Sequence, residues 1–188
     1  MRRSLFLFVL GTALLFMASG VLAQDAGQRS QDLAASLDKT KYKKKEKRGF
    51  SFEFYIEIKN VPAMRSDASQ YSGHYWADEY LLDLRHSSSG SAEGSGYDRS
   101  VNGAKQRSFT LQDLRIDGAL LTATKVYENG ETKSFEAVFV DRTVAQGKNV
   151  NAIDRRETSF GLGFIERGHA SVGGTDNDWT NRVFLERK

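Results

Sequence analysis

Hydrophobic and polar residues alternate with a period of two over most of the chain after residue 49. This pattern is typical of β-strands that bury one face, because successive side chains point to opposite sides of a strand. About eight such segments are present, and none shows helical periodicity. They cover residues 50–58, 76–84, 92–97, 107–116, 120–127, 135–141, 160–164 and 179–187. The pattern therefore predicts an all-β domain over residues 49–188.

Turn signals divide these segments. Asp117-Gly118 and Asn129-Gly130 are turn dipeptides, and the second favours a type I′ turn, so residues 119–142 are predicted to form a hairpin. The apolar residues of 107–116 change phase midway, which indicates a β-bulge. Gly161 and Gly163 alternate with apolar residues, which indicates sharp coiling or the close approach of another backbone.

Short sequential strands separated by turns favour an antiparallel meander. We expect a single closed β-barrel of about eight strands, similar in architecture to the lipocalins, because closure removes exposed strand edges. A β-sandwich is the alternative. The stretch GHYWADEY, residues 73–80, places a glycine before aromatic residues, but it lies far from the first predicted strand and matches the lipocalin Gly-x-Trp motif poorly. Residues 143–157 are polar and are predicted to form a long loop.

The first 23 residues have the three parts of a secretory signal peptide. Arg2 and Arg3 precede an apolar run from Leu5 to Met17, and a small-residue cleavage pattern ends at Ala23. We therefore expect a periplasmic or secreted protein with no transmembrane span after cleavage. A retained membrane anchor is the alternative.

Residues 24–48 are polar and end in a basic run, and we interpret them as a disordered linker or a frayed helix. Seven of the ten residues of KTKYKKKEKR, Lys39 to Arg48, are basic, so this run could contact an anionic surface. It also accounts for the basic isoelectric point. The predicted barrel is mildly acidic, which argues against a nucleic-acid partner.

No constellation of residues predicts catalysis, a metal site or a cofactor. The three histidines do not cluster, and the chain has no cysteine. Asp176 and Asp178 lack the further ligands of a calcium loop. The adjacent carboxylates of Asp78 and Glu79 would point to opposite faces of a strand, and no Gly-x-Ser-x-Gly motif is present.

Three segments end alike, as FVDR at 139–142, FIER at 164–167 and FLER at 184–187. If the phenylalanines of the first two face inward, so do Asp141 and Glu166, but at opposite ends of an up-and-down barrel. In the third segment Val183 and Leu185 make the better inward pair. These endings are therefore interpreted as charged strand ends that meet water.

Aromatic residues on the predicted inward faces are the candidate ligand-binding residues: Trp76, Tyr80, Phe109, Phe135, Phe139, Phe160 and Phe164. The leading hypothesis is an exported, non-enzymatic β-barrel that binds a small apolar or amphipathic molecule. One alternative is an envelope-associated protein-interaction module, tethered by the basic segment. Another is a barrel enzyme of the isomerase or cyclase type.

Overall fold

The computed structural model describes residues 25–38, 41–47, 50–77, 80–86, 91–99, 106–149, 152–172 and 175–188. The predicted signal peptide, residues 1–23, lies outside them. Residues 25–37 form a helix, α1, and Ala68–Tyr71 form a 3-10 helix. The strands are β1 (Lys41–Lys47), β2 (Phe50–Pro62), β3 (Gly73–Ala77), β4 (Tyr80–His86), β5 (Ala92–Arg99), β6 (Gln106–Asp117), β7 (Leu120–Tyr127), β8 (Thr132–Asn149), β9 (Ala152–Val172) and β10 (Thr175–Arg187).

Strands β3 to β10 form a closed antiparallel barrel of eight strands. Each strand pairs with its neighbours in sequence, so the ring is an up-and-down meander. It closes where β10 pairs with β3, through Glu186 opposite Trp76 and Arg187 opposite Tyr75. The predicted all-β, lipocalin-like barrel is confirmed, and the sandwich alternative is excluded.

The strands of the ring are not all those predicted. The segment 76–84 is two strands, because β3 and β4 form a hairpin in which Ala77 lies opposite Tyr80. The segment 50–58 belongs to β2, which pairs with β8 outside the ring and carries β1 on its other edge. The predicted strand 76–84 is therefore two strands, and the predicted strand 50–58 lies outside the ring.

Gly73 begins β3, which is the first strand of the ring, and the 3-10 helix immediately precedes it. The stretch GHYWADEY therefore does enter the first barrel strand, and the objection based on its position was wrong. The inward residue is Tyr75, whose side chain is fully buried, whereas Trp76 faces outward.

One end of the barrel is closed by the connection between β2 and β3, and we call it the plugged end. The ring of Tyr71 in the 3-10 helix stacks on Phe139 inside the barrel, with 4.0 Å between ring centroids. The hydroxyl of Tyr75 donates a hydrogen bond to the carbonyl oxygen of Tyr71. Arg187 Nη1 donates to the carbonyl oxygen of Gln70 at 2.7 Å. These contacts fix the plug to both strands of the closing pair.

Helix α1 packs on the outer wall of the barrel. Residues 24–48 were predicted to be a disordered linker or a frayed helix, and residues 25–37 are a helix that is docked rather than frayed. Ala34 and Leu37 are buried against Val138 and Val140, whose side chains face outward from β8. A Cβ at Gly163 would lie 2.2 Å from Leu37 Cδ1, so the absence of a side chain there makes room for the helix. Burial of an apolar stripe is what stabilises a helix of this length.

Strands also form within the rest of the predicted linker and over most of the predicted long loop. Lys41–Lys47, within the basic run, form β1 at the edge of the sheet. Residues 143–157 fall largely in a long β8–β9 hairpin, in which Thr143 pairs with Thr158. Polar residues form strands here because β2 satisfies one edge of β8 and β9 satisfies the other.

Candidate functional site

The inward residues of β7 include a charged one. Leu121, Ala123, Lys125 and Tyr127 alternate toward the barrel interior. β7 begins beside the plugged end, where Phe139 N donates to the carbonyl oxygen of Ala119, and it runs to the far end. Lys125 therefore brings an amine into the interior of the half that lies away from the plug.

Asp98 on β5 is the partner of this amine. Lys125 Nζ donates to Asp98 Oδ2 at 2.7 Å, and the Tyr127 hydroxyl donates to the same oxygen at 3.0 Å. The side chains of Lys125 and Asp98 are 4% and 7% exposed. Asp98 Oδ1 is buried and has no hydrogen-bond partner among the described residues.

Two glycines of β5 make the approach of Asp98 possible. A Cβ at Gly96 would lie 2.0 Å from the carbonyl oxygen of Leu81, and a Cβ at Gly94 would lie 2.6 Å from Leu111 Cδ1. Because neither position has room for a side chain, β5 runs close to its neighbours, and Asp98 is its one buried carboxylate.

Three phenylalanine rings surround the amine. Lys125 Nζ lies 4.3 Å from the ring centroid of Phe109, 4.6 Å from that of Phe135 and 5.4 Å from that of Phe164. Each distance permits a cation–π interaction, which gains strength where water is excluded. We call Lys125, Asp98, Tyr127 and these three phenylalanines the lysine cage.

The electrostatics of the lysine cage are set by burial. Burial lowers the pKa of Lys125 below its ordinary value, and the neighbouring Asp98 carboxylate opposes that change. Burial, followed by the charge of Asp98, raises the pKa of Tyr127. An ammonium and a carboxylate in contact form a pair with no net charge.

A second carboxylate and a surface ion pair lie near the cage. The Tyr80 hydroxyl donates to Glu166 Oε2 at 2.8 Å, and the charge of Glu166 acts on Lys125. The guanidinium carbon of Arg107 lies 4.0 Å from the ring centroid of Tyr127, and Arg107 Nη2 donates to Glu131 Oε2 at 2.6 Å. The far end of the barrel is therefore polar above an aromatic interior.

The predicted ligand-binding residues lie in three locations, which are the lysine cage, the plugged end and the outer wall of the barrel. Phe109, Phe135 and Phe164 belong to the lysine cage, and Tyr80 packs edge-on against Phe164 at 5.9 Å between ring centroids. The other predicted interior residues, Phe139 and Phe160, pack against Tyr71 and Tyr75 at the plugged end.

Trp76 is not an interior residue, so the prediction that it faces inward was wrong. Its side chain faces outward and is 36% exposed, and Lys188 Nζ lies 3.6 Å from its ring centroid. Because Ala77 lies opposite Tyr80 in the hairpin, the inward positions are odd-numbered in β3 and even-numbered in β4.

Sequence reasoning missed the polar members of the cage. Lys125 occupies the same alternating set as Leu121 and Tyr127, and a lysine within an apolar set was the available signal. Asp98 gave less warning, because glycines occupy the inward positions that precede it on β5. Their meeting depends on the register of β5, β6 and β7, which the sequence pattern does not determine.

The repeated endings are placed as expected. Asp141 lies at the plugged end, where Arg65 Nη2 is 3.3 Å from its Oδ1, whereas Glu166 lies at the far end with Tyr80. Val183 and Leu185 are buried in the interior, as predicted for the third ending.

Other candidate chemistry lies on the outer wall. His74 Nδ1 contacts Asp83 Oδ1, and the His74 side chain is largely exposed. Asp83, Arg85, Glu93, Ser95 and Thr110 line a depression of about 400 Å³ across β4, β5 and β6. Among the described residues, no group of histidine, aspartate and glutamate side chains is arranged to hold a metal ion.

Comparisons with known proteins give no relative. No family model matches the chain, and neither a curated protein nor a solved structure matches it. None of the helical segments in the described part of the chain is both long and apolar enough to cross a membrane.

Proposed function

We propose that this protein is an exported β-barrel that binds a small amphipathic molecule at the lysine cage. The observation that carries the proposal is a buried, hydrogen-bonded lysine–aspartate pair inside a ring of aromatic side chains. Binding sites for small molecules are typically apolar and contain a few precisely placed polar groups. Export is supported by the signal-peptide pattern of residues 1–23.

The route of access follows from the plug. Tyr71, Tyr75 and Phe139 fill the barrel at the plugged end, so a molecule would enter from the far end. Its polar group would meet Lys125 and Asp98, while its apolar part would contact the rings of Phe109, Phe135 and Phe164. Eight-stranded barrels are wide enough to hold one small ligand.

A purely structural role would explain the burial of the lysine–aspartate pair less well than a binding role does. A buried ion pair is often no more stabilising than apolar side chains of the same volume. Perturbed ionisable groups in an apolar interior occur most often at functional sites. These considerations favour a functional role over a purely structural one for the lysine cage, and we propose that this role is binding.

The first test is native mass spectrometry of the mature protein purified from its own host, followed by solvent extraction of the bound material. We expect one small amphipathic molecule per chain. A bare polypeptide mass that stays unchanged after incubation with a lipid extract would contradict the proposal.

Two matched variants locate the site. Phe135 and Phe139 are both buried on the inward face of β8, but only Phe135 packs against Lys125. Phe135→Leu should weaken ligand binding about tenfold or more, because it removes a ring of the cage. Phe139→Leu should lower the stability of the barrel about as much as Phe135→Leu does, and it should leave the affinity for the ligand unchanged. Equal effects of both variants on affinity would place the ligand elsewhere.

A second candidate function is contact with an anionic surface through Lys39–Arg48. The observation that favours it is the position of β1, a lysine-rich strand at the edge of the sheet and outside the barrel. Replacement of the lysines of β1 by glutamine should abolish co-sedimentation with vesicles that contain anionic lipid at low salt. Unchanged co-sedimentation would remove this candidate.

A further inference from the structure

We propose that the lysine cage selects a neutral ligand whose headgroup donates a hydrogen bond, and that this headgroup is an alcohol hydroxyl. The inference rests on the proposed function and deepens it. It is carried by the unequal use of the two oxygens of Asp98 and by the charge balance around Lys125.

One oxygen of the Asp98 carboxylate is an unused hydrogen-bond acceptor among the described residues. Asp98 Oδ2 accepts from both Lys125 Nζ and the Tyr127 hydroxyl, whereas Asp98 Oδ1 is buried and accepts from no described residue. Buried polar atoms are almost always hydrogen-bonded, because desolvation without a partner is costly. The unsatisfied group is an acceptor, so the group that completes it must be a donor.

An anionic ligand headgroup does not fit the charge balance around Lys125. Lys125 already neutralises Asp98, and the charge of Glu166 also acts on the same amine. A ligand carboxylate would be a third negative group around one buried ammonium. It would be left without full charge compensation in a site that excludes water, and it would have no proton to give to Asp98 Oδ1.

A cationic ligand headgroup does not fit, because Lys125 already occupies the position that a cation would take. The three rings that would attract a cation already face Lys125 Nζ. A ligand ammonium at Asp98 Oδ1 would share one carboxylate with Lys125 at close range. Repulsion between the two buried ammonium groups would add to the cost of removing the ligand charge from water.

A hydroxyl avoids both costs and uses both members of the pair. It can donate to Asp98 Oδ1 and accept from Lys125, whose ammonium has three donors and makes one hydrogen bond within the described ranges, to Asp98. The aromatic rings of the cage then bound the carbon that bears the hydroxyl. The fit is to a primary or ring alcohol with an apolar body.

The test compares ligands that share one chain length and differ only in the headgroup. Wild-type protein is titrated by calorimetry at pH 8 with 1-decanol, decyl methyl ether, decanoate and decylamine. The ether is the matched control, because its oxygen accepts hydrogen bonds but donates none. We expect 1-decanol to bind with one site and at least tenfold more tightly than each of the other three.

A variant then assigns the selectivity to the pair. Asp98→Leu combined with Lys125→Met removes both charges together and keeps the apolar volume. In this double variant, the preference for 1-decanol over decyl methyl ether should fall to less than about threefold. The comparison within the wild type decides the inference even if the double variant does not fold.

The outcomes separate the inference from the proposed function. If decanoate or decylamine binds more tightly than 1-decanol, or if the alcohol and the ether bind alike, the hydroxyl inference is overturned while the binding function stands. If none of the four binds, both are overturned, and the lysine–aspartate pair is a structural feature of a filled barrel.

Discussion

Lys125 and Asp98 illustrate how a buried pair differs from its separate members. Each side chain loses its hydration inside the barrel and recovers part of that loss from the other, at 2.7 Å. The aromatic rings add a weaker attraction for the ammonium. Removing one charge therefore leaves the other buried and uncompensated, which costs more than removing both.

This asymmetry gives a prediction for stability. Lys125→Met should lower the free energy of unfolding by about 3 kcal/mol or more, because it leaves the Asp98 carboxylate buried without its cation. Addition of Asp98→Leu to the same protein should recover most of that loss. Urea unfolding monitored by circular dichroism measures both. If the single variant were as stable as the wild type, Asp98 would have to be neutral or hydrated without Lys125.

The turn at Asn129-Gly130 shows how far single residues could be predicted. The hairpin of β7 and β8 is confirmed, but the predicted type I′ turn is wrong, because it requires positive φ at both residues and only Gly130 has it, at 81°. Tyr127 N donates to the carbonyl oxygen of Glu131, so the loop has three residues. The dipeptide correctly indicated where the chain turns, but the length of the loop is set by the register of β7 and β8.

At the scale of elements, helix α1 and the barrel wall depend on each other. A 13-residue helix is marginal in water, and the outward apolar residues Val138 and Val140 would be exposed without it. The contact is tight where Leu37 lies over Gly163. Arg182 Nε reinforces it by donating to the carbonyl oxygen of Ser36 at 2.7 Å.

A double-mutant cycle tests this docking. Gly163→Ala should cost about 1–3 kcal/mol, because the new methyl group would displace Leu37. Leu37→Ala should cost about 2 kcal/mol or more by removing a buried side chain. The double variant should lose less than the sum of the two, by about 1 kcal/mol, since the smaller residue 37 makes room for the methyl group. Strict additivity in chemical denaturation would show that the helix does not dock over Gly163.

The helix was predicted only as a frayed alternative to a disordered linker, and its composition explains why its docking on the barrel was missed. The residues it buries include Ala26, Ser30 and Ala34, which are spaced by four as a helix requires. Their side chains are too small to stand out as a hydrophobic stripe beside the polar residues around them. Gly161 and Gly163 were predicted to mark sharp coiling or the close approach of another backbone. A backbone is close at Gly161, where a Cβ would lie 2.2 Å from the carbonyl oxygen of Leu185, whereas Gly163 makes room for the Leu37 side chain of the helix.

At the scale of the whole molecule, three buried tyrosines connect stability to pH. Burial raises the pKa of Tyr71, Tyr75 and Tyr127 above the ordinary value of 10.0. Such groups favour the folded state while they stay protonated. Their contribution is therefore complete below pH 10.0 and is lost as the pH rises from there through the folded values.

We accordingly expect Tyr71, Tyr75 and Tyr127 to ionise only as the barrel unfolds in an alkaline titration. Tyrosinate absorbance and circular dichroism recorded together measure this. A single titration near pH 10 with the circular dichroism unchanged would show that the three hydroxyls are accessible to solvent.

The barrel architecture could be predicted because its strands are ordered as they occur in the chain. A meander needs only alternation and turn signals, and both are local properties of the sequence. Membership of the ring could not be predicted, since β2 alternates as clearly as any ring strand and yet pairs outside it with β8. The interior pair of Lys125 and Asp98 was missed for a different reason, because it depends on the register of β5, β6 and β7.

The closing pair of the ring has a consequence for the way the molecule comes apart. Neighbouring ring strands are joined in hairpins by at least five residue pairs each, whereas β3 and β10 pair at Tyr75–Arg187 and Trp76–Glu186, with one further backbone hydrogen bond from Lys188 N to the carbonyl oxygen of His74. These residues are far apart in sequence, so this seam can form only after every hairpin is in place. Amide protons along it should exchange with deuterium before those of the hairpins. The cylinder would then unroll into a curved sheet while its hairpins remain intact.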